Sequence, residues 1–330
     1  MVRLISRRKR RFLSLLLLAL VVTTFVQLDM MQHHHLVYED TSIPLCSAAV
    51  TLVTAYYDLK SASKYGASTY ASWNSNYFSL ADAMIIFTDA SSAQEVSHMR
   101  SASRGCTAVV IEELTATHTA GLLDWEREKL KDPEATLHST PLYIIWNQKS
   151  SWLMNASISN PFASKYFFWT DAGQFRDRAF VSKLKENEPW VKCTNLISPG
   201  CMLLLSIEPF NACELETDSR GRAAFLSSLS HRIGGGNFGG DADAIRNWYK
   251  RYYEMLIDYH REGLFVGKDQ PIMASVCLQN VGFCKIISAG SVNEAADPWF
   301  AMQPVLHDCD LTIKHEVVVL SQSTSARIEC

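Results

Sequence analysis

Several stretches of the sequence place polar or glycine-rich residues directly after apolar runs, and in an open α/β sheet ligands bind outside the carboxyl ends of the strands. Thr54, Tyr56 and Asp58 close and follow the run AVTLVTAYY, where they could hold a base or a ribose or simply form a strand exit. Asp89 ends the run AMIIFT in the same way. Asp171 and Gly173 follow FFWT. A carboxylate at the rim of an apolar strand suits a divalent cation or a sugar hydroxyl, and a glycine lets a ligand approach the backbone. Arg176 and Arg178 are within reach of a phosphate or of Asp171, so a turn-capping aspartate paired with Arg176 is the alternative. The string GGGNFGG at 234–240 precedes a helix, whose free N–H groups and dipole attract anions. Asp241 and Asp243 repel a phosphate there, and the spacing is neither a Walker loop nor G-x-G-x-x-G. A close backbone approach to a neutral sugar ring fits better, and a flexible turn is the alternative. In GKDQP, Pro271 suits a first helical turn, which puts Gln270 at the cap and Asp269 just outside it. Asp269 then either faces a reacting carbon or only caps the helix.

These residues need elements to hold them, and the apolar pattern supplies candidates. Ala49–Tyr57, Ala83–Thr88, Thr107–Ile111, Tyr166–Thr170 and Met202–Ile207 read as short buried strands. Ser68–Phe78 reads as a helix. Leu142–Ile158 carries helical spacing through Ile145, Trp146, Lys149 and Leu153. The clearest helix starts at Asp241 or Asp243 and runs through Ile245, Trp248, Tyr252, Met255, Leu256 and Tyr259 to a terminal Gly263. Alternating short strands and helices predict an α/β, Rossmann-like, mostly parallel sheet covered on both faces.

The N-terminus predicts where this body sits. Arg3, Arg7, Arg8, Lys9, Arg10 and Arg11 form a basic tail over 1–11, and residues 12–28 are an uncharged apolar run of about 17 residues. Such a run is at the short end of a transmembrane helix, and the flanking basic residues favour a cytosolic N-terminus. The expected layout is a signal-anchor at 12–28, a stem over 29–47 and a body over 48–330 on the lumenal side. A short span suits the Golgi or endoplasmic reticulum. A cleaved signal peptide is the alternative, with the chain then secreted. The net charge of −3 excludes a nucleic-acid-binding surface, and His33–His35 in the stem read as a solvated tract. Of the nine cysteines, Cys193 with Cys201 and Cys277 with Cys284 are near enough in sequence to pair in an oxidising compartment. No C-x-x-C and no G-x-S-x-G occurs, which leaves zinc, thioredoxin-like and serine-hydrolase chemistry without support. The sequon at Asn155 falls inside a predicted helix, a poor acceptor position.

The strings VTAYYDL, IIFTD, LYIIWNQKS, NPF, FFWTDAGQFR, the glycine loop and FVGKDQPIM stand in an order that resembles the HtrL/YibB family. The chain is also remotely similar to GT-A glycosyltransferases, which use nucleotide-sugar donors. That resemblance implies a GT-A-like fold, with Thr54 and Tyr56 near the nucleotide and Asn147 and Lys149 on the helix before the metal strand; Asp89 and Arg176 are further candidates for cofactor binding by their own positions. It implies Asp171 as the first D-x-D aspartate, holding Mn2+ or Mg2+, and Asp269 and Gln270 as the D-Q element at the donor sugar. His307 or His315 would complete the metal site. The second D-x-D position is Gly173, a departure from the pattern. Two functions follow as expectations: a lumenal glycosyltransferase with a nucleotide-sugar donor and a glycan or protein acceptor, or a non-catalytic glycan-binding or scaffold protein on the same fold.

Overall fold

Apolar runs become the strands of one sheet in the computed structural model, which describes residues 46–59, 67–101, 103–184, 188–210, 213–223, 232–292 and 297–309. All of these belong to a unit running from Ile43 to Cys330. The basic tail, the apolar span, the stem up to residue 45 and His315 lie outside the described residues. Among the described residues, no helix is long and apolar enough to cross a membrane.

The strands are β1 Val50–Tyr56, β2 Ala83–Thr88, β3 Thr107–Ile111, β4 Tyr166–Thr170, β5 Met202–Ser206, β6 Asn237–Asp241 and β7 Cys284–Ser288. The helices are α1 Ala67–Phe78, α2 Ala93–Arg100, α3 Trp125–Lys129, α4 Thr140–Ser159, α5 Arg178–Lys183, α6 Ala242–Arg261, α7 Asp269–Gln279 and α8 Met302–His307. The sheet order is β3-β2-β1-β4-β6-β5-β7. Only β6 runs against its neighbours, pairing antiparallel with both β4 and β5. This mixed α/β sheet with helices on both faces fits the α/β, mostly parallel architecture expected from the sequence.

β4 shows why the sheet is covered twice. Phe167 and Trp169 pack into one apolar layer and Phe168 into the other, all nearly inaccessible to solvent. Full burial of such a side chain contributes about 1.5–3 kcal/mol. Trp152 of α4 stacks on Trp169 at 5.7 Å and on Phe87 at 5.7 Å, and its indole N–H donates to Glu112 at 2.6 Å. These contacts press α4 onto the carboxyl end of β2 and β4.

Three expectations need correction. The glycine string is not a loop throughout, because Asn237–Asp241 is strand β6. Its glycines answer to crowding: a Cβ on Gly239 would lie 2.2 Å from the Phe167 carbonyl oxygen and 2.7 Å from Phe168 Cγ. Aromatic β4 leaves no room for a side chain beside it. Asp269 is the first residue of α7, with Lys268 at the cap, so Gln270 already lies inside the helix. Cys193 bonds to Cys309, not to Cys201, because Lys192 and Cys193 N–H groups both donate to Leu306 O and bring the end of α8 alongside. Cys201 is unpaired. Cys277 bonds to Cys284 as the spacing suggested, and Cys46 bonds to Cys106.

Candidate active site

At the carboxyl end of β4, three segments distant in sequence meet around one ammonium group. Lys149 projects from α4 toward Asp171, which follows β4, and Asp269, which opens α7. Its Nζ lies 3.3 Å from Asp171 Oδ1 and 3.1 Å from Asp269 Oδ2, and donates to Gly235 O at 2.9 Å. Lys149 and Asp269 are 4% and 5% exposed, whereas the Asp171 side chain is 43% exposed. The trio is therefore sealed on the core side and open on the Asp171 side.

Backbone geometry fixes each carboxylate. The Asp171 N–H donates to Gly236 O at 2.9 Å, and the Trp169 indole N–H donates to Asp171 Oδ1 at 2.7 Å. A Cβ on Gly235 would stand 2.6 Å from Asp269 Oδ2, and one on Gly236 would stand 2.6 Å from Gln174 Oε1. The two glycines thus let the backbone pass between the carboxylates. The Lys149 ammonium is the partner of Asp269 Oδ2, an oxygen otherwise closed off from donors.

Electrostatics keep Lys149 charged. Burial presses the Lys149 pKa down, but the Asp171 and Asp269 carboxylates outweigh it and hold it above the ordinary lysine value. Burial raises the Asp269 carboxyl, with Lys149 opposing the shift. The ammonium is the favoured state of Lys149 across neutral pH.

Asn147, two residues before Lys149 on α4, is wholly internal. Its amide donates to Tyr143 O, Val266 O and Gly267 O, and its carbonyl accepts from the Tyr252 hydroxyl at 2.7 Å. It therefore clamps the strand of chain that delivers Lys268 and Asp269. Asn147→Ala orphans these groups inside the core, and urea unfolding should show a loss of about 2–3 kcal/mol. Gln270 donates to Ile233 O at 2.6 Å, tying α7 to the start of the glycine segment. Lys268 is buried in an ion pair with Glu134.

The remaining sequence candidates lie elsewhere. Thr54 is fully buried in the second layer beside Tyr77. Tyr56 is half-buried, its hydroxyl pKa pushed up to about 12 by burial and by its hydrogen bond to Glu95. Asp89 accepts from Ser91 Oγ and Ser92 N at 2.7 Å each, which makes it the turn cap before α2. Arg176 lies flat between the rings of Trp73 and Phe300, at 4.1 and 5.1 Å, and donates to Gly173 O. His307 is held by Trp190 O and the Phe180 ring.

Two features were not anticipated. Asn237, at the start of β6 opposite Thr170, is buried with neither side-chain atom hydrogen-bonded. The polar residue inside GGGNFGG was the visible signal. Asp132, Glu134 and His138 also gather oxygens and a nitrogen within 4.8 Å of one another, a group able to hold a metal ion. Its donors are already engaged: Asp132 Oδ2 accepts from Tyr143 at 2.6 Å and meets His138 Nδ1 at 2.8 Å, and Glu134 pairs with Lys268.

No family model matches the chain, and no curated protein matches it. Among solved structures, one match is mouse xyloside xylosyltransferase 1 in its apo form. It is 10% identical over 72% of this chain and 84% of that chain, with a TM-score of 0.41.

Proposed function

We propose that this chain is a glycosyltransferase that takes a sugar from a nucleotide-sugar donor, and that it is related to the HtrL/YibB sequences it resembles. The observation that carries the reading is the Lys149–Asp171–Asp269 trio at the carboxyl end of β4, open to solvent on the Asp171 side. Sugar hydroxyls can donate to a carboxylate exposed as Asp171 is. Asn237 holds an unsatisfied donor and acceptor at the same end of the sheet.

In the reaction, the bond between the anomeric carbon and the phosphate oxygen breaks with its electron pair leaving on the diphosphate. The acceptor hydroxyl oxygen forms the new bond and its proton passes to the departing phosphate or to solvent. Positive charge develops at the anomeric carbon, and a fixed carboxylate beside it lowers the barrier. Asp269 suits that role, because Lys149 and the first turn of α7 hold it in place. Lys149 with Asp171 orients the sugar.

Hydrolysis and binding of UDP-sugars and GDP-sugars by the purified chain test the reading. No turnover and no nucleotide binding across the donor panel would overturn it. Within an active preparation, Asp269→Asn should lower the kcat of the folded fraction about 10²-fold or more.

The same proposal places the body on the lumenal side, held by residues 12–28. Three disulfides among the described residues support an oxidising compartment. A C-terminus reached by protease in sealed vesicles from the cytosolic face would contradict this placement. Gly173 in the second D-x-D position favours one other reading, a non-catalytic glycan-binding protein. Under it, Asp171→Ala and Asp269→Ala would leave glycan capture intact.

A further inference from the structure

A divalent cation, which a D-x-D reading of Asp171 implies, does not fit the residues present. Asp171 Oδ1 already receives the Trp169 indole N–H at 2.7 Å and the Lys149 ammonium at 3.3 Å. Position 173 is glycine and supplies no side-chain oxygen. Asp269, the other carboxylate at hand, faces the same ammonium at 3.1 Å. An incoming divalent ion would meet a buried positive charge wherever it touched both carboxylates, and like charges in such a place repel strongly.

We propose that Lys149 takes the place of the divalent cation, so that the site is metal-independent and carries its positive charge on the chain itself. The Nζ bridges the strand-end carboxylate and the helix-start carboxylate, the bridging position a metal would need. Its third contact, Gly235 O, is a carbonyl oxygen, also a metal-type ligand. An oxygen shell of two carboxylates and one carbonyl thus surrounds an ammonium instead of an ion. The arrangement is reversible by design, because position 173 has room. A Cβ there would meet only Trp73 Cε3 and Tyr70 Cε1, at 3.9 Å, which is ordinary contact. An aspartate can be restored without a clash at its Cβ.

This inference deepens the glycosyltransferase reading but its main readout is ion binding, which stands apart from activity. Tb3+ is the probe, its luminescence excited through Trp169, with Mn2+ as competitor. The wild-type chain should show no saturable Tb3+ signal that Asp171→Asn removes. Lys149→Ala/Gly173→Asp should bind Tb3+ about tenfold or more tightly than wild type, with Mn2+ displacing it, since ligand charge and number set such affinity. Gly173→Asp alone, with Lys149 kept, should stay as weak as wild type. A wild-type Tb3+ site lost on Asp171→Asn overturns the proposal, and so does a folded double variant that binds no ion.

Should the double variant fail to fold with or without Mn2+, the wild-type chain decides. A nucleotide isotherm unaffected by Mn2+ and by chelator supports the proposal, and one that requires Mn2+ overturns it. A wild-type chain that binds no nucleotide at all counts against the glycosyltransferase reading alone, and the Tb3+ comparison still tests the lysine.

Discussion

Replacing Lys149 by methionine should destabilise the domain by about 3–5 kcal/mol at neutral pH, the usual cost of removing one partner from a buried ion pair. The variant keeps the length of the side chain but leaves Asp269 buried without its counter-charge. Asp171, being more exposed, adds little to the deficit. The pH dependence identifies the cause. Burial already raises the Asp269 carboxyl in the folded chain. A carboxyl whose folded pKa lies above the unfolded value of about 3.9 favours the fold while protonated and opposes it once ionised. Without Lys149 that shift grows, so the deficit should be small near pH 4 and widen as pH rises toward 7. Lys149 itself runs the other way: its raised pKa contributes stability below about 10.4, lost as pH climbs through the folded value. Chemical denaturation of wild type and variant from pH 4 to 8 is the measurement. A deficit that does not change with pH would mean that lost packing, not charge, is responsible.

Gly239→Ala should prevent β4 and β6 from pairing. The methyl group would stand 2.2 Å from the Phe167 carbonyl oxygen and 2.8 Å from Phe168 Cα, both backbone atoms of a strand packed on two faces. A flexible neighbour could move aside, but a central strand cannot. Overpacking in a well-filled core costs about 1–3 kcal/mol and more when backbone must shift. Here β4 also sets the position of Asp171. The variant should express as insoluble or protease-sensitive protein, with the near-ultraviolet dichroism of its aromatic stacks lost. Gly263→Ala makes a useful contrast. That glycine terminates α6 with φ of +82° and has nothing near its Cβ, so its replacement costs only the backbone strain of about 1–2 kcal/mol. Equal damage at the two positions would refute the steric account.

The sequence was legible where strands are unbroken apolar runs, fully buried in β2 and β4 and partly exposed in the edge strand β3. AMIIFT, TAVVI and YFFWT became β2, β3 and β4 with their expected ends. NFGGD did not read as a strand, because the strongest constraint on it lies in its neighbour. Phe168 and the Phe167 carbonyl dictate glycine at 239, and glycine locally signals a turn. CKIIS, now β7, holds a lysine and only two consecutive aliphatic residues, so no unbroken apolar run marked it. The helices of greatest length were legible from spacing and caps: Asp241 accepts from Ala244 N, and Gly263 ends α6 as its type suggests.

The candidate site was legible as a set of residue types but not as a constellation. Asp171 and Asp269 stand out as carboxylates after apolar or glycine-bearing stretches. Nothing in either string shows that Lys149 stands between them, since that contact spans 22 residues to one partner and 120 to the other. Asn147 carries the same lesson. It resembled a ligand-binding residue by position, yet its four side-chain hydrogen bonds all go to the protein. Cys193 was matched to the nearer Cys201 by chain distance, while the fold sends it to Cys309.

The bond between Cys46 and Cys106 has a mechanical meaning. Cys46 is the first described residue, four positions before β1, and Cys106 is the residue just before β3 at the sheet's outer edge. A pull transmitted through the preceding chain reaches that covalent link before it reaches β1. The force therefore divides between the edge and the middle of the sheet instead of peeling out β1, the strand that carries both β2 and β4. Reduced, the same body would take the whole pull on β1, and its unfolding force in a single-molecule stretch should fall.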